Sequence, residues 1–201
     1  MLRAFKRAYL SLVKFLEASL SLISDSEIDS LAGLLESVYR DGKRVFVVGV
    51  GRSGLVGRAF AMRLMHLGFS AYVVGETITP SARAGDVLVA ISGSGRTAAV
   101  VATAEVAKSL GVKVVALTSY PDSLLAKIAD MVVVIPGRTK VSKEDRWEVR
   151  QLLGLHEPLA PLGTQFELVS QVVLDSLISE LMDRLGLEEE DLKEQHANVE
   201  V

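Results

Sequence analysis

The sequence contains no cysteine, and this absence narrows the class of protein at once. Without thiols the chain cannot form a disulfide scaffold, a thiolate-bound metal centre or a cysteine redox site. Aromatic residues make up only 5% of its 201 residues, and the longest stretch free of Asp, Glu, Lys and Arg is twelve residues, 64–75. A membrane-spanning helix needs about 20 apolar residues. We therefore expect a cytoplasmic protein that crosses no membrane.

The charge of the chain is small and unevenly distributed. The net charge is −3, and residues 188–201 hold six acidic residues and one lysine, which leaves +2 for the remainder of the chain. A nucleic-acid-binding surface needs clustered Lys and Arg, often interleaved with aromatic residues. The composition therefore argues against a nucleic acid as partner and is compatible with a small anionic ligand.

Length and hydrophobicity predict one domain with a substantial core, because 201 residues of which 49% are hydrophobic lie in the usual range for a single domain. We predict an N-terminal helical hairpin over 1–43, an α/β body over 44–185 and an acidic tail over 186–201. Apolar residues recur at helical spacing through the first 23 positions. Ser24 and Glu27 form a capping-box pattern that starts a second helix, and Asp41 and Gly42 end it.

The middle of the chain alternates short apolar runs with helical segments. Unbroken β-branched runs that are too short for helices are typical of strands buried on both faces of a parallel sheet. The fold class is therefore α/β, a three-layer, doubly wound, five-stranded parallel sheet. The predicted strands are 45–48, 71–74, 87–91, 112–117 and 131–135, with helices near 54–67, 97–110 and 122–129. A long connection over 136–163 precedes a C-terminal helix from Thr164 to about Leu185.

Two similar glycine loops follow two of the predicted strands. The pattern GxGR(S/T) occurs at 49–53 and again at 93–97. Glycines let the backbone turn sharply into a helix, whose N-terminal N–H groups favour an anion. Ligands of such sheets bind beyond the carboxyl ends of the strands, at the switch point. We predict that a phosphoryl group is bound there by Gly51, Ser53, Ser92, Gly93, Ser94 and Thr97.

Two other interpretations of these loops stay open. The glycines and hydroxyls could serve as tight turns and helix caps alone. The stretch Gly49–Gly54 also fits GxGxxG, and Glu76 lies near the end of the next strand, which together suggest a dinucleotide-binding dehydrogenase. That interpretation does not explain the second loop, whereas one bound phosphate uses both.

The chain resembles the sugar isomerase (SIS) family. The resemblance covers VFVVGVGRSG, VLVAISGSGRT, VVALTSYPDSLLAKIAD, PLGTQFE and the terminal HANVE. It implies a flavodoxin-like strand order and a narrower similarity to members that act on hexulose phosphates. The implied activity is the interconversion of D-arabino-hex-3-ulose 6-phosphate and fructose 6-phosphate through an enediol, in the ribulose monophosphate pathway, without a metal or other cofactor. It also implies a homotetramer with sites shared between subunits.

By the same resemblance, Glu167 is the candidate general base, His196 its candidate partner and Arg52 a candidate stabiliser of the enediolate. Glu167 has a competing interpretation, because Thr164–Glu167 is itself a capping-box pattern. A different class of function also stays open, since SIS domains serve as phosphosugar-sensing modules in regulators. The chain shows no helix-turn-helix pattern that would favour this alternative.

Overall fold

The computed structural model describes residues 3–137 and 164–188, together with residues 190 and 192. The predictions made for His196, for most of the connection 136–163 and for most of the acidic tail fall outside the described residues. Within the described part, no helix is long and apolar enough to span a bilayer.

After two N-terminal helices, strands and helices alternate through the described chain, except that the second and third strands follow one another without a helix between them. The helices are α1 (Arg3–Ser19), α2 (Asp25–Arg40), α3 (Arg52–His66), α4 (Ala98–Ser109), α5 (Leu124–Ile128) and α6 (Thr164–Leu185), with a 3-10 turn at Leu20–Leu22. The strands are β1 (Arg44–Gly49), β2 (Ser70–Val73), β3 (Val87–Ile91), β4 (Lys113–Thr118) and β5 (Met131–Val134). The predicted strands are confirmed to within one residue at either end. The first helix is shorter than predicted, because α1 gives way to the 3-10 turn.

All five strands pair in parallel, in the order β2-β1-β3-β4-β5. This is the flavodoxin-like order, as expected. The winding direction reverses between β1 and β3, which are neighbours in register, with Gly49 opposite Ile91. The carboxyl ends of these two strands therefore form the switch point, where a crevice for a ligand is expected.

The sheet separates two apolar layers because side chains alternate between its faces. Val45 and Val47 of β1 belong to a core formed with α2, α3 and α6, whereas Phe46 and Val48 belong to the core under α4 and α5. Every residue of β3 is buried, as expected for a central strand covered on both faces. The three-layer architecture is confirmed.

The apolar face of α1 is largely uncovered within the chain. Only Ser19 of this helix is buried, and Phe5, Tyr9 and Val13 are 62%, 60% and 46% exposed. The C-terminal half of α1 rests on α6, where Leu16 packs at the edge of the core. An apolar groove of about 810 Å³ runs between α1, the start of α2 and α6, and it is lined by none of those predicted site residues that the structure describes.

The predicted capping box at the start of α2 forms in one of its two halves. Ser24 Oγ accepts a hydrogen bond from the N–H of Glu27 at 3.4 Å, as predicted. The Glu27 carboxylate, however, accepts from the backbone N–H of Val134 at 2.8 Å. The side chain thereby ties α2 to the end of β5, a contact between residues 107 positions apart that no local pattern encodes.

Candidate active site

The first glycine loop turns β1 directly into α3. Gly51 has a φ of +60° and caps the helix, a backbone conformation that side chains with a Cβ rarely adopt. A Cβ on Gly49 would lie 2.7 Å from the carbonyl oxygen of Ser53, so the strand end and the first turn of the helix are in direct contact. Arg52 and Ser53 belong to that first turn, two residues earlier than the helix predicted from position 54.

The second glycine loop, Ser92–Thr97, is supported by the end of β4 and the start of α5. The N–H of Ser119 donates to the Gly93 carbonyl at 3.2 Å, and the N–H of Leu125 donates to the Gly95 carbonyl at 2.9 Å. Gly95 has a φ of +60°, and a Cβ there would collide with the side chain of Ser123. The backbone of this loop is therefore supported by the elements on either side of it.

The hydroxyl groups of the second loop are hydrogen-bonded within the loop, and Ser92 and Ser94 are also buried. Ser92 Oγ and Thr97 Oγ1 are 3.0 Å apart, and Ser94 Oγ accepts from the N–H of Arg96 at 3.3 Å. Ser92 and Ser94 are 3% and 5% exposed, and Ser53, on the neighbouring loop, is 8% exposed. The structure thus brings Ser92, Ser94 and Thr97 together on one loop, with Ser53 on the loop after the adjacent strand.

The electrostatic character of this edge favours an anion. The helices α3 and α4 both begin at the two loops, and their first backbone N–H groups lack acceptors within the helix. Arg52 and Arg96, each in the same position of its loop motif, are exposed. Two helix N-termini and two guanidinium groups therefore lie at one edge of the sheet, an arrangement suited to a phosphoryl group.

Glu167 lies at the same edge although it is distant in sequence. It belongs to the first turn of α6, which packs against α3, and it is 9% exposed. The Nε of Arg52 donates to Glu167 Oε2 at 3.3 Å, and the Arg52 side chain is 55% exposed. The structure therefore joins two of the three predicted catalytic residues in an ion pair beside the first glycine loop.

The capping-box interpretation of Thr164–Glu167 is wrong. Thr164 lies within α6, and its Oγ1 is buried without a hydrogen-bond partner, so it does not accept the N–H of Glu167. A capping threonine would instead precede the helix and accept that N–H. Glu167 therefore forms no capping box with Thr164, and its carboxylate pairs with Arg52.

The dinucleotide-binding interpretation depended on Glu76 as well as on the glycine pattern, and the structure places Glu76 in another role. Glu76, the residue that would bind a ribose hydroxyl, pairs with Arg58 at 2.6 Å on the surface. The five strands also follow the flavodoxin-like order, whereas dinucleotide-binding sheets are typically six-stranded in the order 3-2-1-4-5-6.

Sequence reasoning missed three hydroxyl residues that shape the site. Thr118 ends β4, and Ser119 and Ser123 lie in the turn after it, where all three contact the second glycine loop through Gly93 or Gly95. The sequence does carry a signal for two of them, because Thr118 and Ser119 directly follow an apolar run, as Ser92 does. No glycine pattern accompanies this pair, so the signal is weaker than at the two glycine loops.

Comparison with known proteins identifies the class. The model of the SIS domain matches residues 38–145, more than half of the chain, and the chain belongs to this family. An uncharacterized protein of Aeropyrum pernix is 57% identical over 93% of this chain and 88% of its own length.

Several relatives with a named activity carry the same name. A 3-hexulose-6-phosphate isomerase of Bacillus subtilis is 40% identical over 92% of this chain and 93% of its own length, and one of Mycobacterium gastri is 42% identical over 90% of both. A crystal structure of a Methanococcus jannaschii protein, from which that same isomerase function was inferred, covers 94% of both chains at 34% identity with a TM-score of 0.71. These relatives support a sugar-phosphate isomerase.

Proposed function

We propose that this protein is an isomerase that interconverts D-arabino-hex-3-ulose 6-phosphate and fructose 6-phosphate, a step of the ribulose monophosphate pathway. The observation that carries the proposal is the buried carboxylate of Glu167, paired with Arg52, beside two loops suited to a phosphoryl group. The similarity to relatives named for this activity supports the choice of substrate.

The phosphoryl end of the sugar binds at the switch point. Backbone N–H groups at the starts of α3 and α4 face its oxygens, and the hydroxyls of Ser53, Ser92, Ser94 and Thr97 add donors. Charge-assisted hydrogen bonds of this kind are each worth about 1.5–3 kcal/mol. Binding the phosphoryl group fixes the distance from it to the reacting carbons, which is the positioning that a proton transfer needs.

The chemistry consists of proton transfers between neighbouring carbons and oxygens. The Glu167 carboxylate removes the proton from carbon 2, next to the carbonyl at carbon 3, and an enediolate forms. The proton returns to carbon 3, and the hydroxyl proton moves from oxygen 2 to oxygen 3, so that the carbonyl is now at carbon 2. No electron leaves the substrate, and the sequence of steps needs neither a redox cofactor nor a metal ion.

Arg52 and His196 complete the proposed site. The cationic guanidinium of Arg52 stabilises the negative charge that develops on the enediolate oxygen. His196, assigned by family resemblance, moves the proton between the two oxygens or assists ring opening.

We also propose that His196 acts in a neighbouring subunit of a homotetramer. The uncovered apolar face of α1 supports assembly, because an isolated chain exposes Phe5, Tyr9 and Val13 to water. Subunits of a Glu167→Gln variant mixed with subunits of a His196→Ala variant should regain part of the activity after exchange. If His196 acts within its own chain, no mixed site contains both intact residues and mixing restores nothing.

An assay of the purified protein with D-arabino-hex-3-ulose 6-phosphate tests the proposed function. We expect fructose 6-phosphate to form, and a Ser92→Ala/Ser94→Ala variant to need much more substrate. Phosphosugar binding without turnover would instead indicate a sensing module. Binding of a nicotinamide dinucleotide in place of a sugar phosphate would indicate a dehydrogenase.

A further inference from the structure

The end of β5 and the residue after it are attached to two parts of the molecule. The N–H of Ile135 donates to the Thr118 carbonyl at 2.9 Å, and Ser119 Oγ donates to the Ile135 carbonyl at 2.8 Å. One residue earlier, the N–H of Val134 donates to the Glu27 carboxylate of α2. Residues 134–135 are thus fixed to α2 and to the end of β4.

Two residues further on, Gly137 lies against the first turn of α6. A Cβ on Gly137 would overlap the Cα of Phe166 and would lie 2.6 Å from its backbone nitrogen and 2.7 Å from its Cβ. Backbone atoms at these distances cannot move aside as a flexible side chain can. Phe166 is itself fully buried, so the two backbones meet in a packed layer.

These contacts connect the two halves of the proposed site. Ser119, which holds Ile135, also donates its N–H to the Gly93 carbonyl of the second glycine loop at 3.2 Å. At the other end of the segment, Phe166 directly precedes Glu167. A continuous series of contacts therefore runs from the phosphate-binding loop, through the segment 134–137, to the candidate base.

We propose that Gly137 is a positioning residue for Glu167. Because it has no side chain, the first turn of α6 approaches the end of β5 closely enough to place the carboxylate beside Arg52 and at a set distance from the Ser92–Thr97 loop. The expected effect of Gly137 on turnover rests on the proposed function. Its expected effect on how the first turn of α6 is held rests on packing alone.

The kinetic test uses Gly137→Ala, Glu167→Gln and the double variant. A misplacement on the order of 1 Å can cost roughly 10²-fold in rate, so we expect Gly137→Ala to lower kcat by about 10–100-fold. Inhibition by inorganic phosphate should change by less than about twofold, since the phosphate loops are untouched. If Gly137 acts through Glu167, the double variant has the kcat of Glu167→Gln alone. If the fall in kcat of the double variant is instead the product of the falls in the two single variants, the proposal is overturned.

A matched control separates positioning from general destabilisation. Gly111 has a φ of +75° and lies at the opposite edge of the sheet, where a Cβ would come within 3.1 Å of Ala84 Cβ. Gly111→Ala should lower Tm yet keep kcat within about twofold of the wild type. Should Gly137→Ala not fold, Ser119→Ala takes its place, because it removes the 2.8 Å bond to Ile135 and should show a smaller loss of kcat with the same non-additivity.

Hydrogen exchange gives a readout that does not depend on turnover. The N–H groups of residues 168–170 donate to carbonyl groups of the first turn of α6. Their hydrogen exchange should therefore become faster in Gly137→Ala and stay unchanged in Gly111→Ala. Equal exchange in the two variants would overturn the positioning proposal. A wild-type protein without isomerase activity would refute the proposed function alone, because the exchange comparison still reports how α6 is held.

Discussion

The two edges of the sheet each carry a buried carboxylate paired with an arginine, and the two pairs differ in geometry. At the amino edge, Asp86 is 2% exposed and accepts four hydrogen bonds, three from the backbone and side chain of Arg44 and one from the N–H of Arg83. At the carboxyl edge, Glu167 accepts from the Nε of Arg52 at 3.3 Å, and that arginine is more than half exposed.

The difference lies in the surroundings of each carboxylate. Asp86 is held by donors on both oxygens at 2.8–3.3 Å, so it fixes the start of β1 to the turn before β3. Glu167 instead lies beside glycine loops and helix N-termini, with an arginine that extends into solvent. A carboxylate paired with an arginine therefore stabilises the fold at one edge and, in our proposal, transfers a proton at the other.

Removal of the Asp86 carboxylate at the amino edge should have the largest effect, and this effect should be a loss of stability. Loss of one partner of a buried pair costs about 3–5 kcal/mol, so Asp86→Ala should lower the free energy of unfolding by that amount. Denaturant titration measures the loss, and kcat of the folded fraction should stay near the wild-type value. Glu76→Ala, which breaks an exposed pair with Arg58, is the control and should cost less than ~1 kcal/mol. A large fall in kcat for Asp86→Ala would contradict the division between the two edges.

Replacement of Glu167 at the carboxyl edge should lower turnover rather than stability. Glu167→Gln keeps an oxygen that accepts from Arg52, but an amide cannot take up a proton near neutral pH, so kcat should fall by roughly 10²-fold or more. Tm should move by no more than about 2–4 °C, the shift expected for ~1 kcal/mol in a chain of this size. Near-normal kcat would mean that the base is another group, with His196, Glu76 and Glu157 the next residues to replace.

The hydroxyls of the second glycine loop should affect binding more than stability. Ser94→Ala and Thr97→Ala should each raise KM by an amount equivalent to one charge-assisted hydrogen bond, about 1.5–3 kcal/mol, with kcat little changed. Thr103→Ala on α4 is a matched control, because its hydroxyl bonds only to the Ala99 carbonyl on an exposed surface. An unchanged KM in the Ser94/Thr97 double variant would remove this loop from the site.

The smallest effect concerns a second carboxylate at the amino edge, Asp130. Burial raises its pKa, but hydrogen bonds from Lys108 and from the N–H of Val114 outweigh burial and hold the pKa below its usual value. A lowered pKa in the folded state means that the ionised group stabilises the protein above about pH 4, and that this stabilisation is lost as the pH falls through the folded pKa. Tm measured from pH 6 to 3 should fall less steeply for Asp130→Asn than for the wild type. Parallel curves would contradict the contribution of Asp130.

Local patterns in the sequence determined the fold and one half of the site. The β-branched runs predicted each strand of the sheet, because a strand buried on both faces must be apolar along its whole length. The two GxGR(S/T) patterns predicted the edge at which we propose that a phosphoryl group binds, since the backbone freedom of glycine and the hydrogen-bonding groups of serine and threonine can be recognised within a few positions. Family resemblance added Glu167 and Arg52 as candidates but did not show that they meet.

Tertiary structure decided the contacts between distant residues. Arg52 and Glu167 are 115 positions apart, and Glu27 and Val134 are 107 apart, so their pairing depends on how α2, α3 and α6 pack on the sheet. The capping-box patterns show why sequence is ambiguous here: Glu27 and Glu167 both fit the motif, yet both carboxylates bond to distant partners. A carboxylate takes the donor that the fold presents to it, and when that donor comes from another element, no spacing in the sequence encodes the choice.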